Sequence, residues 1–456
     1  MELQVINPFD GQIVTSLPFD DPAGLERKLK TALAAQEQWS RLDLDERIVE
    51  LKNGLAAFEA MQEQIAVEIT AQMGKPLAES FGEIKGFFDR AHSLIEQAPG
   101  ALAPDMLPEK SGLLRRIEHV PLGVVLNIPA WNYPLLTAVN LVVPALLAGN
   151  SVMIKHSSKT PLSGLRLEQT LGAALPGLVS NLVMDHDQTQ RLIGDGRIAQ
   201  VVFTGSVAGG HEIAQAAAGR FIDVGLELGG KDPAYVAADA DLDFAISNLV
   251  EGACYNAGQS CCAVERVYVH QSLYQDFVEG AADLMKKIQL GDPMSSTTDQ
   301  GPMASPNAPK FLAAQVAQAQ AAGARLITGG EIPKQWGGRF FTPGLLAAVP
   351  NHCDIMQQES FGPLLPTMAV ANDREALAMM NDSKFGLTAS IWTKDQALAE
   401  SMASQLQAGT IYQNRCDYLD PELPWTGYKQ SGRGSSLSRY GFLNLTRRKA
   451  IHFRAY

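Results

Sequence analysis

Between residues 121 and 230 short apolar runs, at 124–128, 152–154, 182–184, 201–203 and 222–226, alternate with stretches of helical periodicity. Apolar runs of this length read as strands buried on both faces, and consecutive parallel strands need a crossover, usually a helix, between them. The rhythm predicts an α/β chain, with a parallel sheet covered by helices. It resumes between residues 231 and 434, with strands expected near 267–269 and 391–392. A chain of 456 residues is too long for one core, so two or three domains are expected.

The flanks read differently. Residues 2–18 alternate in polarity around Asp10-Gly11, a hairpin signal. Leu25, Leu29 and Leu33, then Ile48, Leu51 and Leu55, recur at one-turn spacing, with Asp43 and Asp45 where an N-cap belongs. Met73-Gly74-Lys75-Pro76 closes this block, and a further helix is expected over 78–97. Beyond Pro104 and Pro108, residues 113–119 and 449–454 read as strands. Each would be a long exposed edge in a lone subunit, so pairing between subunits is expected, in a homodimer or homotetramer.

Composition removes several function classes. A net charge of -12 leaves no basic stripe for phosphates, which argues against a nucleic-acid partner. Five cysteines are too few for a disulfide scaffold and point to a reducing, cytoplasmic setting. The eight histidines show no ligand spacing, so no metal site is expected. The first residues lack the pattern of a secretory signal. The most apolar stretch, 135–149, is interrupted by Asn140 and Pro144 and is too short to span a bilayer, so no membrane partner is expected.

Chemistry concentrates between residues 226 and 264. Leu226-Glu227-Leu228-Gly229-Gly230 puts a carboxylate at the end of an apolar strand, where desolvation raises its pKa and glycines let the chain turn. Asn256-Ala257-Gly258-Gln259-Ser260 leads into the thiol pair Cys261-Cys262. A thiolate can add to a carbonyl carbon, and a carboxylate can then activate water to release the acyl group. A free thiol ionises near ~8.5, so the nucleophile needs a polar or positive setting. Cys254, Cys353 and Cys416 read as packing residues, with Cys416 in a loop that could border a substrate.

These segments resemble the two catalytic signatures of the aldehyde dehydrogenase superfamily. Other motifs of that family follow in its order: Asn7-Pro8, Pro129-Ala130-Trp131-Asn132-Tyr133-Pro134, Lys155, Phe203-Thr204-Gly205-Ser206, Glu359-Ser360-Phe361-Gly362-Pro363, Phe385-Gly386-Leu387 and Lys429-Gln430-Ser431-Gly432. The resemblance implies a Rossmann-like cofactor domain over 1–102 and 122–230, and an α/β catalytic domain over 231–434. Residues 103–121 and 435–456 would form a small β oligomerisation unit, the first segment pairing with the last strand of a neighbouring subunit.

It also implies roles. Cys261 is the nucleophile, since the family's nucleophile directly follows Gly-Gln-X; Glu227 is the general base and Asn132 the oxyanion donor. Coenzyme A-acylating relatives generally lack the carboxylate, so hydrolytic release is expected. No well-placed Gly-x-Gly-x-x-Gly occurs; instead Gly205, Ser206 and Gly210 resemble the family's dinucleotide turn. Trp131, Lys155, Glu359 and Phe361 match further cofactor contacts. Where NAD-preferring relatives often carry Glu, this chain has Ser158 followed by Lys159, which suggests that NADP is accepted or preferred over NAD.

The substrate is an aldehyde, and the pocket positions implied are Tyr133, Leu136, Thr137, Asn140, Ser260, Cys262 and Trp425, with the loop 415–423 at the mouth. The Leu-Glu-Leu-Gly-Gly-Lys-Asp-Pro stretch looks closest to the succinate-semialdehyde dehydrogenase branch. The arginines that clamp a carboxylate there are replaced by Asn140 and Tyr255, so a neutral aliphatic or aromatic aldehyde is expected. The alternatives are a semialdehyde held by a relocated clamp, with Arg415 the candidate, and a non-catalytic member kept as a binding or structural protein.

Overall fold

The computed structural model describes residues 2–454. Its first sheet has the spatial order Gly432–Arg433, Asp223–Glu227, Ile198–Thr204, Val124–Ile128, Ser151–Ile154, Val179–Asn181. All neighbours are parallel except the short Gly432–Arg433 strand, which runs antiparallel beside Asp223–Glu227. Strand order reverses between Val124–Ile128 and Ile198–Thr204, the kind of switch point where α/β sheets open a crevice at their carboxyl ends. The second sheet runs Arg325–Thr328, Gly344–Ala347, Leu364–Val370, Val264–His270, Asp232–Val236, Thr388–Trp392, Thr410–Gln413, parallel but for its first strand. The segment 231–434 is therefore not confined to one sheet, because Gly432 and Arg433 return to the first.

Two expectations need correction. The apolar run at 182–184 is not a strand; the ladder lies three residues earlier, at Val179–Asn181. Leu182 and Met184 are apolar because they are buried as the chain leaves the sheet edge, in a core shared with Leu29 of the first helix. The second correction concerns subunit pairing. Thr446–Arg454 pairs antiparallel with Leu113–Pro121 of the same chain, in a register from Thr446 opposite Pro121 to Arg454 opposite Leu113. The helix Ser438–Asn444 packs against Leu77–Leu102 and returns the chain to its own strand. Asp105–Met106 completes this three-stranded sheet.

The helical flank follows the spacing. Asp43 caps Leu44–Glu59 in a capping box with Glu46, and Asp45 sits in the first turn. Gly74, at φ 84°, ends Gln62–Met73. The next helix, Leu77–Leu102, runs past the expected end at 97. Its buried stripe holds Phe87, stacked on Phe58 with centroids 4.5 Å apart, but also two charged residues, Glu83 and Arg90.

Candidate active site

The helix Leu242–Cys254 ends in a tight turn, Tyr255–Gly258, with Asn256, Ala257 and Gly258 at φ 52°, 54° and 68°. A side chain at Gly258 would strike the backbone of Gly362, so only glycine allows the turn to pack this closely. The turn delivers Ser260, Cys261 and Cys262 to a cavity of ≈ 650 Å³. The two thiols differ. Cys262 is 3% exposed and donates to Asp417 Oδ1 at 3.0 Å, as Ser260 Oγ does at 3.0 Å. The hydrogen bond with Cys261, burial and the Asp417 carboxylate push the Cys262 thiol far above its ordinary value. Cys261 is the more open of the pair.

Asn132 joins this turn from the other side. Its Nδ2 donates to Gln259 O at 3.0 Å, and Asn256 Nδ2 donates back to Asn132 O at 3.1 Å. The Gln259 side chain spans Asn256 O and the Ala304 N–H. One Asn132 N–H is thus committed, and because Asn132 also lines the cavity its other N–H is available to a ligand oxygen. Asn256 and Gln259 were not singled out from sequence as positioning residues, although they flank the glycine that marked the turn. Buried His156 braces the same loop: Nε2 donates to Pro134 O at 3.0 Å while Nδ1 accepts from the Ser157 N–H. Burial lowers its pKa to about 4, so the ring is neutral at pH 7.

Glu227 ends its strand and lines the same cavity. Thr204 Oγ1 donates to Oε2 at 3.0 Å, and Ser436 Oγ donates to Oε1. Burial raises its pKa, against the pull of those two hydrogen bonds and the Arg90 charge. That is the direction a general base needs.

The residues matched to cofactor contacts cluster on the opposite flank. Ser206 caps the helix Val207–Ala217, accepting from the Gly209 N–H, and Gly205 and Gly210 let the Phe203 and Leu228 side chains pack against this turn. Trp131 meets Phe361 edge-on at 5.5 Å, and Lys159 Nζ lies 4.8 Å over the Trp131 ring. Lys155 and Lys159 have depressed pKa values from burial, and neither has an ion-pair partner among the described residues. Ser158 is exposed between them. Glu359 accepts from the Gly230 N–H at 3.0 Å, and burial with nearby Glu265 pushes its pKa to about 8. Glu265, ion-paired to buried Lys231 at 2.7 Å, accepts from the Ser360 and Phe361 N–H groups and so holds that loop in place. A helix N-terminus, two lysines without an ion-pair partner among the described residues and an aromatic pair fit a dinucleotide.

On the substrate side Tyr133, Leu136, Asn140 and Trp425 line the cavity with Ser260 and Cys262. Lys75 Nζ sits 3.9 Å over the Tyr133 ring and pairs with buried Glu83, whose other oxygen accepts from the Leu135 N–H. Arg415 is exposed and stacks on Tyr418 at 3.4 Å. Sequence reasoning missed Asp417 and Arg90, which reach this cavity from distant segments. Among the described residues no group of three or more His, Cys, Asp and Glu side chains could hold a metal ion, and no helix is long and apolar enough to cross a membrane.

The model of the aldehyde dehydrogenase family matches residues 1–451. The chain belongs to this family. Among its relatives is the 3,6-anhydro-alpha-L-galactose dehydrogenase of Streptomyces coelicolor, 34% identical over 99% of this chain and 93% of that protein. The NADP(+) succinate-semialdehyde dehydrogenase of Deinococcus radiodurans is 33% identical over 98% and 94%. The aldehyde dehydrogenase fold is seen directly in the succinic semialdehyde dehydrogenase of Streptococcus pyogenes, solved with NADP+. It superposes with a TM-score of 0.95 at 30% identity, covering 99% of this chain and 100% of that one.

Proposed function

We propose that this aldehyde dehydrogenase oxidises an aldehyde to its carboxylic acid with NADP or NAD, through a thioester on Cys261 that Glu227 hydrolyses. The observation that carries this reading is that Cys261, Asn132 and Glu227 open into one cavity. The Cys261 thiolate adds to the carbonyl carbon, forming the C–S bond, and the oxygen gains the electron pair. The free N–H of Asn132 stabilises that oxyanion. Bound NAD(P)+ supplies the acceptor for the hydride that leaves carbon. The acyl group then remains on Cys261, and Glu227 takes a proton from water. The resulting hydroxide adds to the acyl carbon, the C–S bond breaks, and the acid leaves as the thiolate is restored.

The proposed division of labour puts the dinucleotide at the carboxyl edge of the first sheet and the thiol at the entry to the second. Glu359, Lys155 and the entrance at Gly205, Ser206 and Gly210 would hold it. Exposed Ser158 beside Lys159 offers no carboxylate to repel a 2′-phosphate, which supports acceptance of NADP. The test is reduced-nicotinamide formation by the wild type and Cys261→Ala, on aldehydes with each cofactor. Turnover by the wild type and none by Cys261→Ala is expected. Equal turnover in both would end this mechanism, and none in either would favour a non-catalytic role.

A further inference from the structure

The cavity contains a charge that the proposed mechanism does not use. Arg90 lies on the buried stripe of Leu77–Leu102 and is 9% exposed. Only its Nη1 is engaged, with Asn140 Oδ1 at 3.1 Å and Leu136 O at 3.3 Å. Among the described residues it has no ion-pair partner and no acceptor for Nε or Nη2. Taking a guanidinium out of water without a counter-charge is costly, and such groups are normally paired or fully hydrogen-bonded.

Arg266 shows what a purely structural arginine looks like in this chain. It is 1% exposed, and all three of its nitrogens donate, to the carbonyls of Lys231, Met379, Met380 and Asp382 and to the Tyr268 hydroxyl. Arg90 is left with free donors facing a cavity that also holds Cys261.

The acids around that cavity do not serve Arg90. Glu83 is taken by Lys75 and the Leu135 N–H, Asp417 by Ser260 and Cys262, and Glu227 by Thr204 and Ser436. Asp89 and Glu251 are exposed at the rim. Arg415, the other lining cation, is an exposed residue stacked on Tyr418. Asn140 holds Arg90 by its amide oxygen and so steadies one edge of the fork while the rest stays open.

We infer that Arg90 is a specificity residue that binds a carboxylate at the far end of the substrate, so that the preferred substrate is an ω-carboxylated aldehyde. This rests on the proposed function and replaces the neutral aldehyde expected from Asn140 and Tyr255. The arginine has not been lost from this wall of the pocket; it enters from the Leu77–Leu102 helix and rests on Asn140.

The experiment compares kcat/KM for succinate semialdehyde, glutarate semialdehyde, butanal and 4-aminobutanal in the wild type, Arg90→Met and Arg90→Lys. The wild type is expected to prefer one of the two semialdehydes over butanal by about a hundredfold or more. Arg90→Met is expected to remove most of that ratio, mainly through KM, and Arg90→Lys to restore part of it. A wild type that prefers butanal or 4-aminobutanal overturns the inference, as does an Arg90→Met variant that loses activity on semialdehyde and butanal by the same factor. If Arg90→Met does not fold, inhibition of the wild type by succinate against butyrate decides, with tighter succinate expected and equal inhibition contrary. If no aldehyde is turned over, the proposed function has failed by itself. Thermal-shift titration with succinate then still tests Arg90, since a larger stabilisation of the wild type than of Arg90→Lys is expected, and equal shifts are contrary.

Discussion

At the scale of single residues, the two thiols are separated by their neighbours. Cys262 is held protonated against Asp417, which supports the proposal of Cys261 as the nucleophile. In the proposed mechanism Asn132 would hold the oxyanion by one amide N–H while the other ties it to Gln259. Asn132→Ala removes both, so kcat is expected to fall by roughly two to three orders of magnitude. Stopped-flow measurement of the hydride step checks this, and a fall below about threefold would remove Asn132 from the chemistry. That Cys261 and Glu227 belong together was implied by the two signatures the sequence resembles, and both line one cavity. Arg90 and Asp417 were harder, being single residues in segments far from the motifs. Even so, Arg90 carried a signal. It falls seven residues after Glu83 on a helix whose other buried positions are mostly apolar, and two charges on such a stripe ask for partners.

At the scale of elements, the nucleophile turn is held by polar contacts rather than by packing alone. The Asn256 N–H donates to Glu79 at 3.0 Å, and burial raises that carboxyl to about 8. A carboxyl whose folded pKa is raised contributes stability that is full below its unfolded value, about 4.5, and is lost as pH rises through about 8. Wild-type Tm is therefore expected to fall between about pH 5 and about pH 9 relative to Glu79→Gln, whose side chain cannot ionise. Parallel Tm-against-pH curves for the two would show that Glu79 does not titrate in this window. The strand rhythm was legible because parallel strands buried on both faces are near-continuous apolar runs. It failed at 182–184 because burial, not pairing, makes Leu182 and Met184 apolar.

At the scale of the whole molecule, the carboxyl end of one strand of the first sheet and the turn that enters a strand of the second supply opposite halves of the candidate site. Glu227 comes from the first sheet, and the thiols precede Val264–His270 of the second. The fold class was legible from alternation alone. The partner of the last strand was not, because a free β edge is satisfied equally by its own chain or by another. With Thr446–Arg454 paired internally, the three-stranded sheet still exposes Met106, Leu114 and Phe453, at 64%, 45% and 58%. Such a sheet suits a subunit contact. Light scattering is expected to give a homodimer or homotetramer, and a Leu114→Asp, Phe453→Asp double variant a smaller species; a monomeric wild type would remove this sheet from that role.

The most direct test of the account is a single-turnover experiment on Glu227→Gln, mixed with aldehyde and NADP and followed by reduced-nicotinamide signal and intact mass. Glutamine keeps the shape of the site but cannot take the proton from water. The account predicts one equivalent of reduced cofactor per active site, then a stall, with the acyl mass on the peptide bearing Cys261. Sustained turnover at the wild-type rate, or an acyl group on Cys262, would contradict it.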